Sequence, residues 1–306
     1  MPIVASVNIP ALNATATIRD CLRALERQTF PREALEVIVA DNGSTDGTPE
    51  LIRKEFPWVR VVHASSRGSG IARNAAVAAS NGRYICTTDA DCIAETTWVA
   101  ELVAALDGAS SETMCVGGAI LPYRQETIVE RYRPAWIRQA NLQDPSNRFA
   151  YAETPNAAFR RETFERLGFF LSEAGHDDSD MGMRITRSGG RITYAPRAVV
   201  RHRNPRTLRE FWKQRRKYAE WNVALARRHP EFFAPFQSPR DLQRLRTETV
   251  RRLARDMLFA VPRALRPVPG KNSTRIDPLL DGVAAIANYA GVCAAFRKAT
   301  LEAPRA

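Results

Sequence analysis

The feature that most limits how this chain can fold is the regular alternation of strand-like and helix-like segments in its first 91 residues. Four runs, at residues 3–9, 35–40, 58–62 and 83–87, are short, apolar and rich in β-branched side chains, as buried strands are. The first run is predicted to end at Pro10. The segments between the runs carry apolar residues at helical spacing. This alternation predicts an α/β fold with a mostly parallel central sheet and right-handed crossovers.

Two carboxylates, Asp89 and Asp91, directly follow the fourth strand-like run. Side chains at the carboxyl end of a parallel strand face the crevice in which α/β folds bind ligands. Carboxylate oxygens are hard ligands that suit Mg²⁺ or Mn²⁺ bridging a diphosphate. An isolated Asp-x-Asp is also common in solvated turns and helix caps. The order of the neighbouring segments favours the metal site here.

A second acidic group, formed by Asp177, Asp178 and Asp180, precedes a helix-like segment that starts at Met181. Carboxylates in the first turn of a helix are stabilised by the helix dipole. The group therefore has two interpretations, a purely capping role or a catalytic one.

Polar residues and glycines also stand at the ends of other predicted strands. Asp41 begins a turn after the second run, and the alternative for it is a capping role. Gly118 follows the run 114–116, where glycine lets the backbone approach a ligand closely or forms an ordinary bulge. Asn156 opens a strand-like run, and its two interpretations are a crevice residue and a loop cap. His202 follows the strand-like run 198–201, and its two interpretations are a metal ligand and a structural histidine.

The composition fits one large domain with an appendage, since 306 residues with 44% apolar content can bury a sizeable core. The five cysteines show no metal or redox spacing, which favours reduced core thiols in a cytosolic compartment. The N-terminus leads directly into a strand and shows no signal peptide. We therefore expect a cytoplasmic protein.

The net charge of +12 is unevenly distributed. Residues 1–183 have a balance of −6, residues 184–275 have a balance of +18, and the last 31 residues are neutral. The basic part is expected to face an anionic partner. No nucleic-acid-binding motif is visible, and an anionic membrane leaflet fits better, because each nearby Lys or Arg contributes about 1 kcal/mol of attraction.

Two C-terminal segments bear on membrane contact. Residues 242–261 form a helical apolar stripe interleaved with arginines, which predicts either an interfacial helix or a helix docked on the catalytic domain. Residues 279–296 form a final helix whose apolar part is too short to span a bilayer.

Six stretches together resemble glycosyltransferase family 2, whose members have the GT-A fold and transfer sugars from nucleotide-sugar donors. The resemblance covers roughly residues 3–220. The matching stretches are 8–13 (NIPALN), 39–48 (VADNGSTDGT), 72–75 (ARNA), 88–91 (TDAD), 156–161 (NAAFRR) and 176–181 (HDDSDM).

The resemblance implies the roles of the donor-binding residues. Asp41 is expected to accept a hydrogen bond from the uracil N–H, and Arg73 to lie near the base or the phosphates. Asp89 is expected to contact the ribose or a metal-bound water. The full set of residues implied to bind the donor is Pro10, Asn13, Asp41, Arg73, Asp89 and Gly118.

The resemblance also implies the metal site and the base. Asp91, with Asp89 and His202, would hold Mn²⁺ or Mg²⁺, which stabilises the diphosphate leaving group. Asp178 would be the general base that deprotonates the acceptor hydroxyl. The residues implied to line the acceptor crevice are Asn156, Asp177 and Asp180. Asp177 replaces the glutamate that is usual in the family.

The sequence thus predicts a GT-A catalytic domain over residues 1–205 and a basic, mainly helical extension over residues 206–306. The predicted activity is an inverting, metal-dependent hexosyl transfer from a UDP-sugar to a glycan or lipid-linked acceptor, in cell-envelope or exopolysaccharide synthesis. A peripheral position at the inner face of the membrane would suit such an acceptor. The alternatives are a non-catalytic module that binds anionic glycan or nucleic acid, a retaining enzyme and a nucleotidyl transferase.

Overall fold

A computed structural model describes residues 2–132, 150–171, 175–232 and 277–302, with the single residues 142, 243, 244, 247 and 251. The chain divides into two compact units. The first unit holds the strands described below, and the second begins again at Asn204 after taking in residues 124–132. No sequence pattern indicates that this short central segment belongs with the C-terminal part. The predicted helix at 242–261 lies outside the described residues except for four single positions.

The strands and helices lie in the order that the sequence predicts for the first half. The strands are β1 (Ala5–Ala11), β2 (Leu35–Asp41), β3 (Arg60–His63), β4 (Tyr84–Thr87), β5 (Cys92–Ala94), β6 (Thr113–Pro122), β7 (Ala157–Arg160) and β8 (Arg191–His202). The helices are α1 (Ile18–Glu26), α2 (Thr48–Glu55), α3 (Ser69–Ala79), α4 (Trp98–Asp107), α5 (Ile128–Arg131), α6 (Arg161–Leu167), α7 (Asp177–Arg187), α8 (Leu208–Arg228) and α9 (Asp277–Glu302).

Within the described residues, the eight strands form one sheet in the order β3-β2-β1-β4-β7-β6-β8-β5. The first four strands of this order are parallel, as the sequence predicts, and β6 and β8 are also parallel. The α/β fold with a mostly parallel sheet is therefore confirmed. The exceptions are β7, which runs antiparallel to both β4 and β6, and β5, which runs antiparallel to β8.

Helices pack on both faces of the sheet. Alternate side chains of each strand point to opposite faces, so each strand contributes residues to both helical layers. On one face, Val7 and Ile9 of β1 pack with residues of α1, α2 and α4. On the other face, Ile38 packs against the small residues of α3, while Ile85 and Phe159 pack with α6 and α7. The packed helices thus hold the sheet rigidly. Its two faces are covered, so the polar residues lie at its carboxyl edge.

Two strands are longer than the sequence predicts. β1 does not end at Pro10 but continues to Ala11, paired only with β2 beyond Asn8, so no ladder to β4 requires an N–H from the proline. β6 does not stop before its glycines but runs through Gly118 to Pro122, with a register shift between Gly118 and Ala119.

The second unit is helical. Thr127 and Thr207 cap α5 and α8, and in each case the glutamate three residues later completes a capping box. α8 packs closely on α9, whose Gly291 lies so near α8 that a Cβ there would come within 2.2 Å of the Arg216 carbonyl oxygen. Among the described helices, none is both long and apolar enough to cross a membrane.

Candidate active site

The loop that carries Asp89 and Asp91 is fixed to β1 and to the turn that precedes β7. The Thr88 backbone N–H donates to the Asn8 carbonyl oxygen at 3.2 Å, and its hydroxyl donates to the Pro155 carbonyl oxygen at 3.0 Å. The chain then enters β5, where Cys92 pairs with His202 at the end of β8. Strand register therefore brings the predicted aspartates beside the predicted histidine, although 111 positions separate Asp91 from His202.

Asp91, Cys92 and His202 form a group of potential metal ligands. Asp91 Oδ1 lies 3.7 Å from His202 Nε2 and 3.9 Å from Cys92 Sγ, and one ligand atom of each residue lies within 4.8 Å of the others. Nitrogen, oxygen and sulfur donors at these separations fit a single divalent cation. Burial raises the pKa of Asp91, His202 lowers it and Asp89 raises it, so that the pKa lies above its usual range.

Sequence reasoning missed Cys92, because it treated all five cysteines as inert core thiols. The signal that was available is the position of Cys92 directly after Asp91. Burial, together with the charges of Asp89 and Asp91, raises the pKa of the Cys92 thiol well above its usual value. The thiol is therefore protonated unless a cation stabilises the thiolate.

Arg73 links the two acidic groups of the sequence. Its guanidinium donates to Asp89 Oδ1 at 2.8 Å and to Asp177 Oδ2 at 2.6 Å. Burial alone would lower the pKa of Arg73, but the nearby charges of Asp177 and Asp89 raise it above the ordinary value. The arginine that the sequence placed near the donor thus also ties the loop after β4 to the first turn of α7.

A glycine makes this arrangement possible. Gly70, in the first turn of α3, lies so close to residue 171 that a Cβ would come within 2.0 Å of the Leu171 carbonyl oxygen. The same Cβ would lie 3.6 Å from the Asp177 Cβ. Only glycine lets α3 approach this segment closely enough for Arg73 to reach Asp177.

Asp178 lies beside this pair in the first turn of α7 and is half-buried. Its Oδ1 accepts hydrogen bonds from the Ser179 backbone N–H at 2.7 Å and from the Ser179 hydroxyl at 3.2 Å. Burial and the neighbouring charge of Asp177 raise the pKa of Asp178, although His176 and Arg73 lower it in part. A carboxylate with a raised pKa holds a proton more strongly, which suits a general base.

Asp180 makes a different contact from the one expected of a crevice residue. Its Oδ2 accepts from Arg184 Nε at 2.8 Å, and the same guanidinium donates to the carbonyl oxygens of Leu167 and Phe169. These contacts hold the turn that follows α6 against α7. Asp180 thus helps to hold α7 in place through its ion pair with Arg184.

The turn after β2 is built around Asp41, which is 5% exposed. Its carboxylate accepts from the backbone N–H groups of Gly43 and Ser44, both at 3.2 Å, and lies 3.5 Å from His63 Nδ1. Asn13, at the end of β1, accepts from the Thr45 N–H through its side chain at 2.9 Å. Asp41 and Asn13 therefore shape the turn that follows β2 at the carboxyl edge of the sheet.

Asn156, predicted as a crevice residue, and Gly118, predicted to bind the donor, are both buried against protein atoms. The Asn156 residue is 0% exposed. Its side-chain amide accepts from the Trp98 indole at 2.8 Å and donates to the carbonyl oxygens of Ala119 and Ala198. A Cβ on Gly118 would come within 2.3 Å of the Ala198 carbonyl oxygen and 2.5 Å of this amide. Both residues thus support the packing of β6 on β8.

Comparison with known proteins identifies the family to which this geometry corresponds. A family model described as Glycosyl transferase family 2 matches residues 6–168. A probable glycosyltransferase of Bacillus subtilis, YdaM, is 28% identical over 232 residues, which cover 71% of this chain and 54% of that protein. The glycosyltransferase AglE of Haloferax volcanii is 29% identical over 64% of this chain and 66% of its own length. The chain thus spans about half to two thirds of these relatives. The succinoglycan biosynthesis protein ExoM of Rhizobium meliloti is 26% identical over 68% of this chain and 76% of its own length.

Solved structures share the fold. A mannosyltransferase from Pyrobaculum calidifontis, in complex with GDP-Man and Mn²⁺, matches with a TM-score of 0.56 and 22% identity, covering all of this chain and 79% of that one. Residues 1–349 of TarS from S. aureus, in complex with UDP-GlcNAc, match with a TM-score of 0.54 and 17% identity, covering 97% and 92% of the two chains. These likenesses show a GT-A fold.

Proposed function

This chain belongs to glycosyl transferase family 2, and we propose that it is an inverting, metal-dependent glycosyltransferase. In this proposal it moves a hexosyl group from a nucleotide-sugar, preferentially a UDP-sugar, to a hydroxyl group of a glycan or lipid-linked acceptor. The observation that carries the proposal is the double ion pair of Arg73 with Asp89 and Asp177. It joins the loop suited to hold the donor diphosphate to the helix that carries the base.

Each residue of the proposed site has its own role in the reaction. Asp41 accepts from the nucleotide base, and Asp89 contacts the ribose. Asp91 and His202 would hold a divalent cation, and their separation of 3.7 Å fits one ion. When bound, such a cation neutralises the diphosphate and stabilises it as a leaving group.

Asp178 completes the reaction. Its carboxylate takes the proton of the acceptor hydroxyl as the hydroxyl oxygen attacks the anomeric carbon, while the bond from that carbon to the diphosphate breaks. Attack from the side opposite the leaving group inverts the anomeric configuration. A positioned base of this kind typically contributes about 10²- to 10⁴-fold to the rate.

The donor, acceptor and location are supported by the relatives and by charge. The mannosyltransferase neighbour binds GDP-Man with Mn²⁺, and TarS binds UDP-GlcNAc, so the fold accommodates either nucleotide. The relative ExoM acts in succinoglycan biosynthesis, which favours a polysaccharide or lipid-linked acceptor. The charge of +18 over residues 184–275 supports a cytoplasmic enzyme at an anionic membrane face, rather than a nucleic-acid-binding protein.

A donor-hydrolysis assay tests the proposal. The purified chain is incubated with UDP-sugars and GDP-sugars, with Mn²⁺, with Mg²⁺ and with chelator. We expect slow, metal-dependent release of nucleoside diphosphate, lost in Asp91→Asn and retained in Glu165→Gln, which removes an exposed carboxylate of α6. Nucleotide-sugar binding without any turnover would favour the non-catalytic module. Release of pyrophosphate from a nucleoside triphosphate would favour nucleotidyl transfer.

The stereochemistry requires a separate measurement. Once an acceptor is identified, proton NMR of the first product reports its anomeric configuration. We expect inversion, since Asp178 is placed to activate an acceptor hydroxyl. A product that keeps the donor configuration would show a retaining enzyme and would remove the proposed role of Asp178.

A further inference from the structure

We infer that Cys92 is a third protein ligand of the metal site, and that this site consequently binds Zn²⁺ through sulfur, a mode that is closed to Mn²⁺. The inference rests on the proposed metal site at Asp91 and His202. It adds a residue that none of the six matching stretches includes. It also predicts that Zn²⁺ and Mn²⁺ compete for this one site.

The position of the thiol carries the argument. Cys92 is 1% exposed, and its Sγ lies 3.9 Å from Asp91 Oδ1, the same carboxylate oxygen that lies 3.7 Å from His202 Nε2. The sulfur and the imidazole nitrogen therefore both lie near the oxygen that a cation would share. The backbone pairing of Cys92 with His202 across β5 and β8 fixes both side chains to rigid strands.

The separations fit zinc. Ligand distances of about 2.0–2.3 Å around tetrahedral Zn²⁺ place neighbouring donor atoms roughly 3.4–3.6 Å apart. The separations of 3.7 and 3.9 Å are only a few tenths of an ångström larger. The third pair of ligand atoms, on Cys92 and His202, lies within 4.8 Å.

The chemistry of the ligands separates the two ions. Mn²⁺ prefers oxygen ligands and gains little from a thiol, whereas Zn²⁺ is borderline-soft and binds Cys, His and carboxylate together. Zinc binding releases the Cys92 proton to solvent and leaves a thiolate on the metal. Asp91 and His202 would serve both ions, and Cys92 would serve Zn²⁺ alone. Zn²⁺ is therefore expected to displace Mn²⁺ from the enzyme.

Cobalt spectroscopy tests the inference without an activity assay. Co²⁺ takes zinc sites, and a thiolate ligand adds an intense sulfur-to-cobalt charge-transfer absorption in the near ultraviolet. We expect this band in the wild-type chain, its loss in Cys92→Ser and its retention in Cys86→Ser. Cys86 is a matched control, since its thiol is also fully buried in a strand of the same sheet but lies outside the metal group. Cys92→Ala is the second variant, in case the buried serine prevents folding.

Competition binding gives the second readout. Chelator-buffered titrations should show Zn²⁺ affinity falling at least about 10-fold in Cys92→Ser, the scale on which zinc sites respond to loss of a supporting group, with Mn²⁺ affinity close to that of the wild type. Binding of Mn²⁺ and Co²⁺ without a charge-transfer band would overturn the role of Cys92 and leave the proposed function intact. Failure to bind either ion would overturn the metal site of the proposed function, and this inference with it. A band that survives Cys92→Ser would assign the sulfur to another cysteine.

Discussion

Arg73 holds a full positive charge where almost no water reaches it, and two carboxylates balance that charge. Arg73→Met keeps most of the side-chain volume but leaves Asp89 and Asp177 facing each other without a cation. Breaking a buried ion pair from one side typically costs about 3–5 kcal/mol. We therefore expect a large loss in the free energy of unfolding, measured by chemical denaturation.

The control for Arg73→Met is Arg166→Met, which removes an exposed arginine of α6. Surface arginines contribute at most about 1 kcal/mol. If both variants unfolded at the same denaturant concentration, the double ion pair would not contribute to the stability of the fold.

Asp178 predicts a pH dependence of the proposed reaction. Only the deprotonated carboxylate can accept the acceptor proton, and burial raises the pKa of this group. The acid limb of kcat/KM should therefore lie above the ordinary aspartate value of about 3.9. Activity should rise with pH through that limb, and Asp178→Asn should lower kcat by about 10²- to 10⁴-fold at pH values above it. An acid limb at or below the ordinary value would contradict the assignment.

The same carboxyl predicts a gain in stability when it is replaced. Because its folded-state pKa is raised, the folded protein binds the proton more strongly than the unfolded chain does. Its contribution to stability therefore falls as the pH rises from the unfolded pKa through the folded one. Asp178→Asn removes this penalty, so we expect a Tm equal to or above that of the wild type at pH 7 by calorimetry. A clearly lower Tm would show that the carboxylate stabilises the fold.

At this scale the sequence predicted polar residues at strand ends better than it predicted their contacts. Asp89, Asp91 and His202 stand at the ends of strands or just beyond them, and that position follows from apolar runs. Asn156 has the same position in sequence, yet its side chain turns inward to Trp98 and the β6 and β8 backbones. Which way a side chain at a strand end points depends on the register of its neighbours, and no local pattern reports that register.

At the scale of helices and strands, the approach of α3 to the segment before α7 depends on one missing methyl group. Gly70→Ala would place a Cβ within 2.0 Å of the Leu171 carbonyl oxygen, so α3 or that segment must move. Overpacking of this kind typically costs about 1–3 kcal/mol. We expect lower stability and, because the Arg73–Asp177 pair is stretched, weaker donor hydrolysis. Thermal unfolding and the hydrolysis assay measure the two effects.

Gly108→Ala is the matched control for Gly70→Ala. A Cβ on Gly108 would lie 3.3 Å from the Ala104 carbonyl oxygen, and the backbone of this glycine is right-handed helical. If α3 can shift freely, Gly70→Ala will match Gly108→Ala in thermal stability and in donor hydrolysis. That result would contradict the prediction for Gly70.

The elements of the first half could be predicted because each has its own local pattern. The segment between the third and fourth runs was predicted to be helical, and α3 lies there, while β2 was predicted to within one residue. The reversed direction of β7 could not be predicted, because four residues carry no mark of orientation. Orientation comes from the long connection between β6 and β7 and from pairing with β4 and β6.

At the scale of the whole molecule, charge separates the chain into an acidic part and a basic part. The C-terminal unit shows exposed basic residues along α8, among them Arg209, Lys213 and Lys217. We expect the chain to sediment with anionic vesicles at low salt and to dissociate as salt shortens the Debye length below about 8 Å. Replacing these three residues by glutamine should weaken partitioning by about 3 kcal/mol, or on the order of 100-fold.

The control for vesicle binding replaces three exposed basic residues of the first unit, Arg27, Lys54 and Arg166, by glutamine. This triple variant has the same net charge as the α8 variant. Equal losses in the two would show that net charge alone drives binding, and equal binding to neutral vesicles would remove the electrostatic argument altogether.

The span of the Arg73–Asp177 pair has a consequence for biosynthesis. The two residues are 104 positions apart, and a ribosome adding about 5–20 residues per second needs roughly 5–20 s to pass from one to the other. Throughout that interval the nascent chain has its first strands and α3 but lacks the second counter-charge for the guanidinium. A ribosome that stalls before residue 177 therefore leaves an amino-terminal half that cannot close, and proteases should cut this half more readily than the finished protein.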